Sequence, residues 1–193
     1  MPPTCNIILL AFMLLLSGCE LFTTREPEPP TGASGGDWVF PSEPCIVLDN
    51  LQSAVGRRSS VDYMRSFGIG AVESFSFIPD PKTNANFPGR FDGWDLARER
   101  KFVESIFTKV TLPNDSIAEL NLEVDRSTEL GDSAEITARY NLHLGHDLDE
   151  GPREMEGRAE FSLRRGNDGG WRIGTWTDFR SIGSCLSDLK RLF

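Results

Sequence analysis

The sequence lacks several of the short motifs that mark common catalytic sites. It has no glycine-rich phosphate loop ending in Lys-Ser or Lys-Thr, and it has no Cys-x-x-Cys pair. Histidine occurs only at His143 and His146, and Asp147 and Asp149 follow the second one. No motif fixes a coordination geometry there, so we interpret this segment as a solvated hairpin turn rather than a divalent-cation site. We expect neither a metal nor another cofactor, and the pattern identifies no catalytic residue.

Positively charged side chains are also scarce. The chain has 20 Lys and Arg against 29 Asp and Glu, which gives a formal net charge of -9 at pH 7. Such an excess of negative charge repels the phosphates of nucleic acids and of anionic lipids. Nucleic acid is therefore not an expected partner, although the acidity also fits a simple role in solubility.

Charge is absent from the first 18 residues, where residues 7–16 form an unbroken apolar run. Ten residues are about half of the ~20 that a membrane-spanning helix requires. The pattern therefore predicts a cleaved signal peptide over residues 1–18, in preference to an uncleaved anchor or a buried core helix.

The end of this run, Leu16, Ser17, Gly18 and Cys19, resembles the lipobox of bacterial lipoproteins. The resemblance implies that the small residues admit the signal peptidase and that the thiol of Cys19 receives a diacylglycerol, which makes the membrane a partner through a lipid anchor. In that class an Asp after the cysteine resembles an inner-membrane retention signal, whereas this chain has Glu20. The expected location is therefore the cell envelope, at the outer membrane and facing the periplasm.

A tether is predicted to follow the lipidated cysteine. Residues 19–37 are rich in Pro, Gly, Thr, Ser and Glu, a composition that cannot bury enough apolar surface to fold. We expect this segment to be a disordered linker between the membrane and the folded domain.

The remaining residues, 38–193, are enough for one domain with a single core. Apolar residues at helical spacing predict helices over 42–56, 59–67 and 94–108, and Glu99 lies on the solvent side of the last one. Alternating apolar and polar residues predict strands over 72–78, 118–125 and 134–144 and a hairpin over 154–180. The segment 79–93 is predicted to be a polar loop. Helices first and antiparallel strands afterwards indicate an α+β architecture in which one face of the sheet is partly exposed.

The hairpin at the end of the sheet has an irregular second strand. Trp171 and Ile173 share one face, but Trp176 is out of phase with them, which predicts a bulge at Gly174 and Thr175. We expect this bulge to turn Trp176 away from the face of Trp171 and Ile173. Trp176 is therefore the best pocket candidate among the tryptophans.

The order of the predicted elements and the position of several aromatic residues together resemble the nuclear-transport-factor-two-like superfamily. The residues that carry the resemblance are Phe75-Ser76-Phe77, Trp94, Trp171-Arg172-Ile173 and Trp176-Thr177-Asp178. The resemblance spans residues 41–180 and implies a cone fold, in which a curved antiparallel sheet wraps over the N-terminal helices and often leaves a cavity at its mouth.

This fold leaves two classes of function open, because it carries isomerases, cyclases and hydrolases as well as non-catalytic binding modules. We favour a non-catalytic module that binds a small apolar ligand or an envelope protein, and its exposed sheet face is also a candidate homodimer interface. The alternative is an enzyme that acts in the cone cavity. Tyr63 and Asp178 join Trp176 as pocket candidates, although Asp178 is more typical of a structural hydrogen-bond acceptor and Tyr140 of the core.

Two cysteines remain after the predicted processing, Cys45 and Cys185. An even pair in an oxidising compartment suggests a disulfide, and two buried thiols are the alternative. Residues 184–193 carry apolar side chains at helical spacing, so we expect a short amphipathic helix. It docks over the first helix, or else it covers the cone mouth or lies in the groove of a partner.

Overall fold

The structure is a computed structural model that describes residues 38–67, 75–109 and 118–193, so the predicted signal peptide, Cys19 and the tether lie outside the described residues. The helices are α1 (Pro44–Gly56), α2 (Ser60–Arg65), α3 (Pro81–Asn86), α4 (Leu96–Glu104), which continues into a π-helical turn (Ser105–Lys109), and α5 (Leu186–Lys190). The strands are β1 (Ser76–Ile78), β2 (Ala118–Leu130), β3 (Ser133–Leu144), β4 (Glu154–Arg165) and β5 (Trp171–Arg180).

The described strands form one sheet in the order β1-β5-β4-β3-β2. The four long strands are paired antiparallel in chain order, and only the short β1 runs parallel to its neighbour β5. Alternate side chains of β3 and β4 are buried on the inner face, where the helices complete the core, while the others are half-buried or exposed on the outer face. The predicted α+β class and its half-exposed sheet are thus confirmed.

The first two helices follow their local sequence. Pro44 opens α1, where its missing N–H costs nothing. The apolar stripe of this helix is buried as predicted and consists of Val47, Leu48, Leu51, Ala54 and Val55. The Ser59 hydroxyl caps α2 by accepting a hydrogen bond from the N–H of Asp62 at 3.2 Å.

The segment between β1 and α4 contains a helix that we did not predict. The chain over 79–93 was expected to be a polar loop, but Asp80 caps α3 by accepting from the N–H of Thr83 at 3.0 Å. Proline at the first helical position favours the same start. Helix α4 begins at Leu96 rather than at Trp94, because Asp95 is its N-cap and accepts from the N–H of Arg98.

The predicted bulge in β5 is present, but its consequence is the opposite of the expected one. Ser162 pairs with Thr175 and Leu163 with Ile173, so Gly174 is the extra residue. Because Gly174 has no partner in β4, the alternation of inward and outward side chains shifts by one residue after it. Trp176 therefore lies on the same buried face as Ile173, and both are part of the core.

Among the described residues, no helix is long and apolar enough to cross a membrane.

The loop after β3 is less open than its composition suggests. His146 was placed in a solvated turn, yet it has no solvent exposure, and one ring nitrogen, Nε2, lies 3.0 Å from the carbonyl oxygen of Pro152. Within the same described ranges, no group of three or more His, Cys, Asp or Glu side chains is arranged to hold a metal ion.

Candidate functional site

A buried carboxylate, Glu99 of α4, lies at the centre of the space enclosed by the sheet and the helices. Its side chain has no solvent exposure. Oε1 accepts a hydrogen bond from the Tyr63 hydroxyl at 2.7 Å, and Oε2 accepts one from the Trp94 indole N–H at 2.7 Å. Oε2 also lies 2.5 Å from Nζ of Lys190, the last residue of α5. A carboxylate with three donors of this kind is satisfied without water.

The Lys190 ammonium group lies inside a cage of aromatic rings. Nζ is 3.8 Å from the ring centroid of Phe77 and 5.2 Å from those of Trp94 and Phe102, and it is 5.3 Å from that of Trp176. All of these distances are within the ~6 Å over which a cation is attracted to an aromatic face. The site therefore pairs one cation with both a carboxylate and several π-faces.

Four separate parts of the fold build the aromatic cage, which we define as Phe77, Trp94, Phe102 and Trp176. Phe77 comes from β1, Trp94 from the turn before α4, Phe102 from α4 and Trp176 from β5. The cage is thus a product of the tertiary fold, since no two of its members are close in sequence except the pair around α4.

Burial controls the protonation of this site. It raises the pKa of Tyr63 well above its usual range, and the adjacent Glu99 carboxylate adds to that rise, so the hydroxyl keeps its proton and remains a donor. Burial also lowers the pKa of Lys190, while the attraction of Glu99 opposes the change. Burial and the Glu99 carboxylate thus act in opposite directions on the pKa of the Lys190 ammonium group.

The space left inside the cone is narrow. A cavity of about 20 Å³ is lined by Val55, Tyr63, Phe102, Val103, Ile106, Phe107, Leu120, Leu142, Leu144, Trp176 and Leu186. That volume is close to the minimum for one water molecule and far below the several hundred Å³ of a typical ligand pocket. Tyr63 and Trp176, two of the three predicted pocket residues, do meet at this cavity.

The third predicted pocket residue, Asp178, does not line the cavity and instead holds the C-terminal helix. It accepts hydrogen bonds from the Tyr140 hydroxyl at 2.7 Å and from both the N–H and the hydroxyl of Ser187, at 2.8 and 2.6 Å. The Tyr140 oxygen in turn accepts from the N–H of Leu186 at 2.9 Å. Asp178 is therefore a structural acceptor at the start of α5, as its position after Trp176 suggested.

A second polar cluster fastens the same helix from outside. The Arg180 guanidinium donates to both carboxylate oxygens of Asp188, at 2.7 and 2.8 Å, a bidentate arrangement with good geometry. The Thr83 hydroxyl donates to Asp188 at 2.8 Å, which joins α5 to α3. These bonds and those to Glu99 and Asp178 all run to α3, α4 and the sheet, not to α1, where docking was expected.

The outer face of the sheet carries two adjoining open grooves, of about 390 and 350 Å³. Their lining is mostly polar and acidic, with Glu119, Asn121, Glu123, Arg139, Asn141, His143, Glu154 and Glu156. His143 lies between Glu119 and Glu154 in the cross-strand register. This face is accessible but is not a closed pocket.

The predicted disulfide is not formed in the structure. Cys45 and Cys185 are both free thiols, and Cys45 is exposed at the start of α1, whereas Cys185 is fully buried at the N-terminal end of α5. The Cys185 thiol lies 3.8 Å from the Asp188 carboxylate and 3.9 Å from the Thr83 hydroxyl. The alternative of two buried thiols is thus correct for Cys185 only.

Sequence reasoning missed the two charged residues at the centre of the site. Glu99 was assigned to the solvent side of its helix, and Lys190 was not among the candidate site residues. A signal was available, because Glu99 lies three residues after Leu96 and four before Val103 in the apolar stripe of α4. Lys190 has the same relation to its own helix, four residues after Leu186. A charged residue is almost never fully buried unless it is paired, so each of these positions indicated a charge with a partner.

Comparison with known proteins supports the fold. The sequence matches no protein-family profile and no curated protein. Among solved structures, a conserved protein from Planctomyces limnophilus DSM 3776 is similar with a TM-score of 0.54 and 13% identity, over 70% of this chain and 91% of that chain. A protein from Shewanella oneidensis MR-1, described as NTF-2 like and of unknown function, is similar with a TM-score of 0.50 and 15% identity, over 69% and 93%.

A ketosteroid isomerase-like protein from Erwinia carotovora atroseptica SCRI1043 has the same degree of likeness, with a TM-score of 0.50 and 12% identity over 71% of this chain and 92% of that chain. At such identities the likeness concerns the fold alone. The mixed α+β structure, its five-stranded sheet and these neighbours fit an NTF2-like cone fold, as the sequence predicted.

Proposed function

We propose that this protein is a lipid-anchored component of the cell envelope whose cone domain binds a ligand or another protein without catalysing a reaction. The main support for the absence of catalysis in this proposal is the hydrogen bonding of the two buried carboxylates. Glu99 and Asp178 have no solvent exposure, and both carboxylate oxygens of each residue accept hydrogen bonds from other side chains of the protein. A general acid or base must instead reach the proton of a substrate.

The size of the interior supports the same proposal. The cavity of about 20 Å³ holds no substrate while α5 is in place. A binding role has no need of a reactive group, and the accessible outer grooves supply a surface for a protein partner. Their excess of carboxylates over cations favours a partner with basic side chains over a second copy of the same acidic face.

The anchoring part of the proposal depends on the lipobox resemblance of Leu16, Ser17, Gly18 and Cys19. Two or more acyl chains hold a protein at a bilayer, whereas one gives marginal binding. A processed and acylated Cys19 would keep the domain at the outer membrane, within reach of other envelope proteins.

The alternative, an isomerase, cyclase or hydrolase, has one specific observation in its favour. Tyr63 and Glu99 form a tyrosine–carboxylate pair inside the cone, with Tyr63 at the cavity. A carboxylate base beside a tyrosine donor is one way in which cone-fold isomerases act on carbonyl compounds. This reading requires Lys190 to leave Glu99 before any substrate could be deprotonated.

Native mass spectrometry of the protein extracted gently from its own membrane tests the proposal. We expect a chain that begins at an acylated Cys19 and retains a protein or a small molecule. A second copy retained in place of another protein would identify the homodimer. An unmodified Cys19, or a chain that is bare in every gentle extraction, would contradict the proposal, and conversion of a retained molecule to a product would establish the enzyme.

A further inference from the structure

We propose that the aromatic cage and Glu99 form a binding site for alkylammonium groups, and that Lys190 is its resident, exchangeable occupant. The ligand class is a small molecule that carries an amine and an apolar arm. This inference rests on the proposed binding function and specifies the ligand of the cone interior.

The chemistry of the site selects an ammonium group over other ligands. Four aromatic rings lie within 5.3 Å of one point, and a carboxylate oxygen lies 2.5 Å from it. Aromatic rings attract a cation through their faces, and Glu99 adds a full counter-charge. An anion would be repelled, and a neutral apolar group would leave the Glu99 carboxylate buried without a cation.

The surroundings of the ammonium group select an apolar arm. The narrow cavity next to Trp176 is lined by aliphatic and aromatic side chains, and Leu186 of α5 is one of them. When the helix moves away, the space of Leu186 and of the Lys190 stem joins this cavity. The indole N–H of Trp176 has no partner in the described part of the chain, so a ligand with a hydrogen-bond acceptor near its amine would gain one more contact.

The occupant is attached in a way that permits exchange. Lys190 belongs to a helix of five residues close to the chain end, and Lys190 is its last residue. Hydrogen bonds from separate parts of the fold hold this helix, and single substitutions can remove them. Ser187, for example, donates two of them to Asp178 and accepts one from the N–H of Asp80. An intramolecular occupant competes with free ligand at a high effective concentration. Free amine should therefore bind the intact chain much more weakly than a chain without the lysine arm.

The first experiment tests the ligand class with n-propylammonium, which reproduces the atoms removed from the full chain by Lys190→Ala. We expect a saturable rise in the thermal midpoint of this variant and a dissociation constant roughly 100-fold or more below that of the wild type. Lys82→Ala, which removes an exposed lysine, is the matched control and should respond no more than the wild type. Neutral n-propanol should not replace the amine. If the Ala variant does not fold, Lys190→Ser serves with n-propylammonium and Lys190→Gly with n-butylammonium, each with the same control.

An equal response of Lys190→Ala and Lys82→Ala, or an equal effect of amine and alcohol, would overturn the ammonium site. That result would not contradict the proposed function. The proposed function fails only when native mass spectrometry shows an unmodified Cys19 or a chain with no bound protein or small molecule. The two proposals therefore have separate tests.

The second experiment tests exchange, with n-hexylammonium as the probe and hydrogen exchange of the backbone amides of residues 186–193 as the measurement. An arm of this length does not fit beside Lys190, so binding must release the helix. We expect the amine to speed exchange in the wild type, and at roughly tenfold lower concentration in Ser187→Ala, because that variant loses hydroxyl hydrogen bonds of the helix. If bound amine leaves exchange unchanged in both proteins, or n-hexanol acts equally, Lys190 is a permanent internal group and the inference is wrong.

Discussion

Nζ of Lys190 lies 2.5 Å from Oε2 of Glu99, and neither side chain has any solvent exposure. Removing one member of such a pair leaves the other charge buried without a partner, which typically costs about 3–5 kcal/mol. We expect Lys190→Met and Glu99→Gln each to lower the free energy of unfolding by about that amount, measured by urea denaturation. The double variant should recover much of the loss, since it buries no charge.

The exposed Lys101 of α4 provides the matched control for this pair. Lys101→Met should change the free energy of unfolding by no more than about 0.5 kcal/mol, as is usual for surface positions. Additive losses in the Glu99 and Lys190 double variant would show that the two charges do not interact and would contradict the paired site.

Gly157 of β4 lies against the ring of Tyr140, so its lack of a side chain is essential. A Cβ atom there would lie 2.3 Å from the Phe179 carbonyl oxygen and 2.8 Å from the Tyr140 hydroxyl. We expect Gly157→Ala to destabilise the fold by at least about 1–3 kcal/mol and to disturb the Tyr140 bond to Asp178. Thermal unfolding of this variant, compared with Gly183→Ala, checks the prediction, because a Cβ at Gly183 would meet nothing within 4 Å. Equal midpoints would contradict it.

The sheet could be predicted from the sequence because each long strand alternates buried and exposed residues with a period of two. Periodicity also located the bulge at Gly174 but not its effect, since the direction of Trp176 depends on whether the extra residue breaks or restores the phase. Helix α3 was missed because a short polar helix has no apolar stripe. The only local signals for it are the Asp80 N-cap and Pro81 at the first helical position.

The centre of the site was predicted only in part for a different reason. Assigning every charged side chain to solvent places Glu99 and Lys190 on the surface, although each of them occupies a position within an apolar stripe. The partners are 91 positions apart in sequence, and nothing local to either one indicates the other. Tyr63 and Trp176 were placed in the interior by the sequence because aromatic residues tend to be buried whatever their role, and their role as pocket residues stays a prediction.

Accessibility should separate the two cysteines. Cys45 is exposed, while burial raises the pKa of the Cys185 thiol to about 12, so this thiol stays protonated and shielded near pH 8. We expect iodoacetamide to modify Cys45 in the native protein and Cys185 only after denaturation, as read by peptide mapping without reductant. Recovery of a peptide in which Cys45 and Cys185 are joined would instead restore the disulfide hypothesis.

The lipobox resemblance predicts the effect of Cys19→Ser. Without the thiol there is no site for the diacylglycerol, so we expect unprocessed precursor in the inner membrane or release of soluble protein. Membrane fractionation with metabolic labelling by a fatty acid measures both. Cys45→Ser, which changes an exposed thiol of the domain, should be acylated and sorted like the wild type. A Cys19→Ser protein that is still processed and bound to the outer membrane would refute the anchor.

Asp188 should make the docking of α5 dependent on pH. Burial alone would raise the pKa of its carboxyl, but hydrogen bonds from Arg180, the N–H of Cys185 and the Thr83 hydroxyl outweigh burial and lower the pKa below its ordinary value of 3.8. A group with a lowered pKa contributes stability that is present above the unfolded-state pKa and is lost as the pH falls through the folded-state value.

We therefore expect Asp188→Asn to be less stable than the wild type at pH 7, with a difference that shrinks below about pH 4. Asp178, whose pKa burial raises, has the opposite pH dependence, but it is present in both proteins and cancels in the comparison. Thermal midpoints of the two proteins between pH 7 and pH 3 decide the matter, and a difference that stays constant over this range would show that the Asp188 carboxylate does not hold the helix.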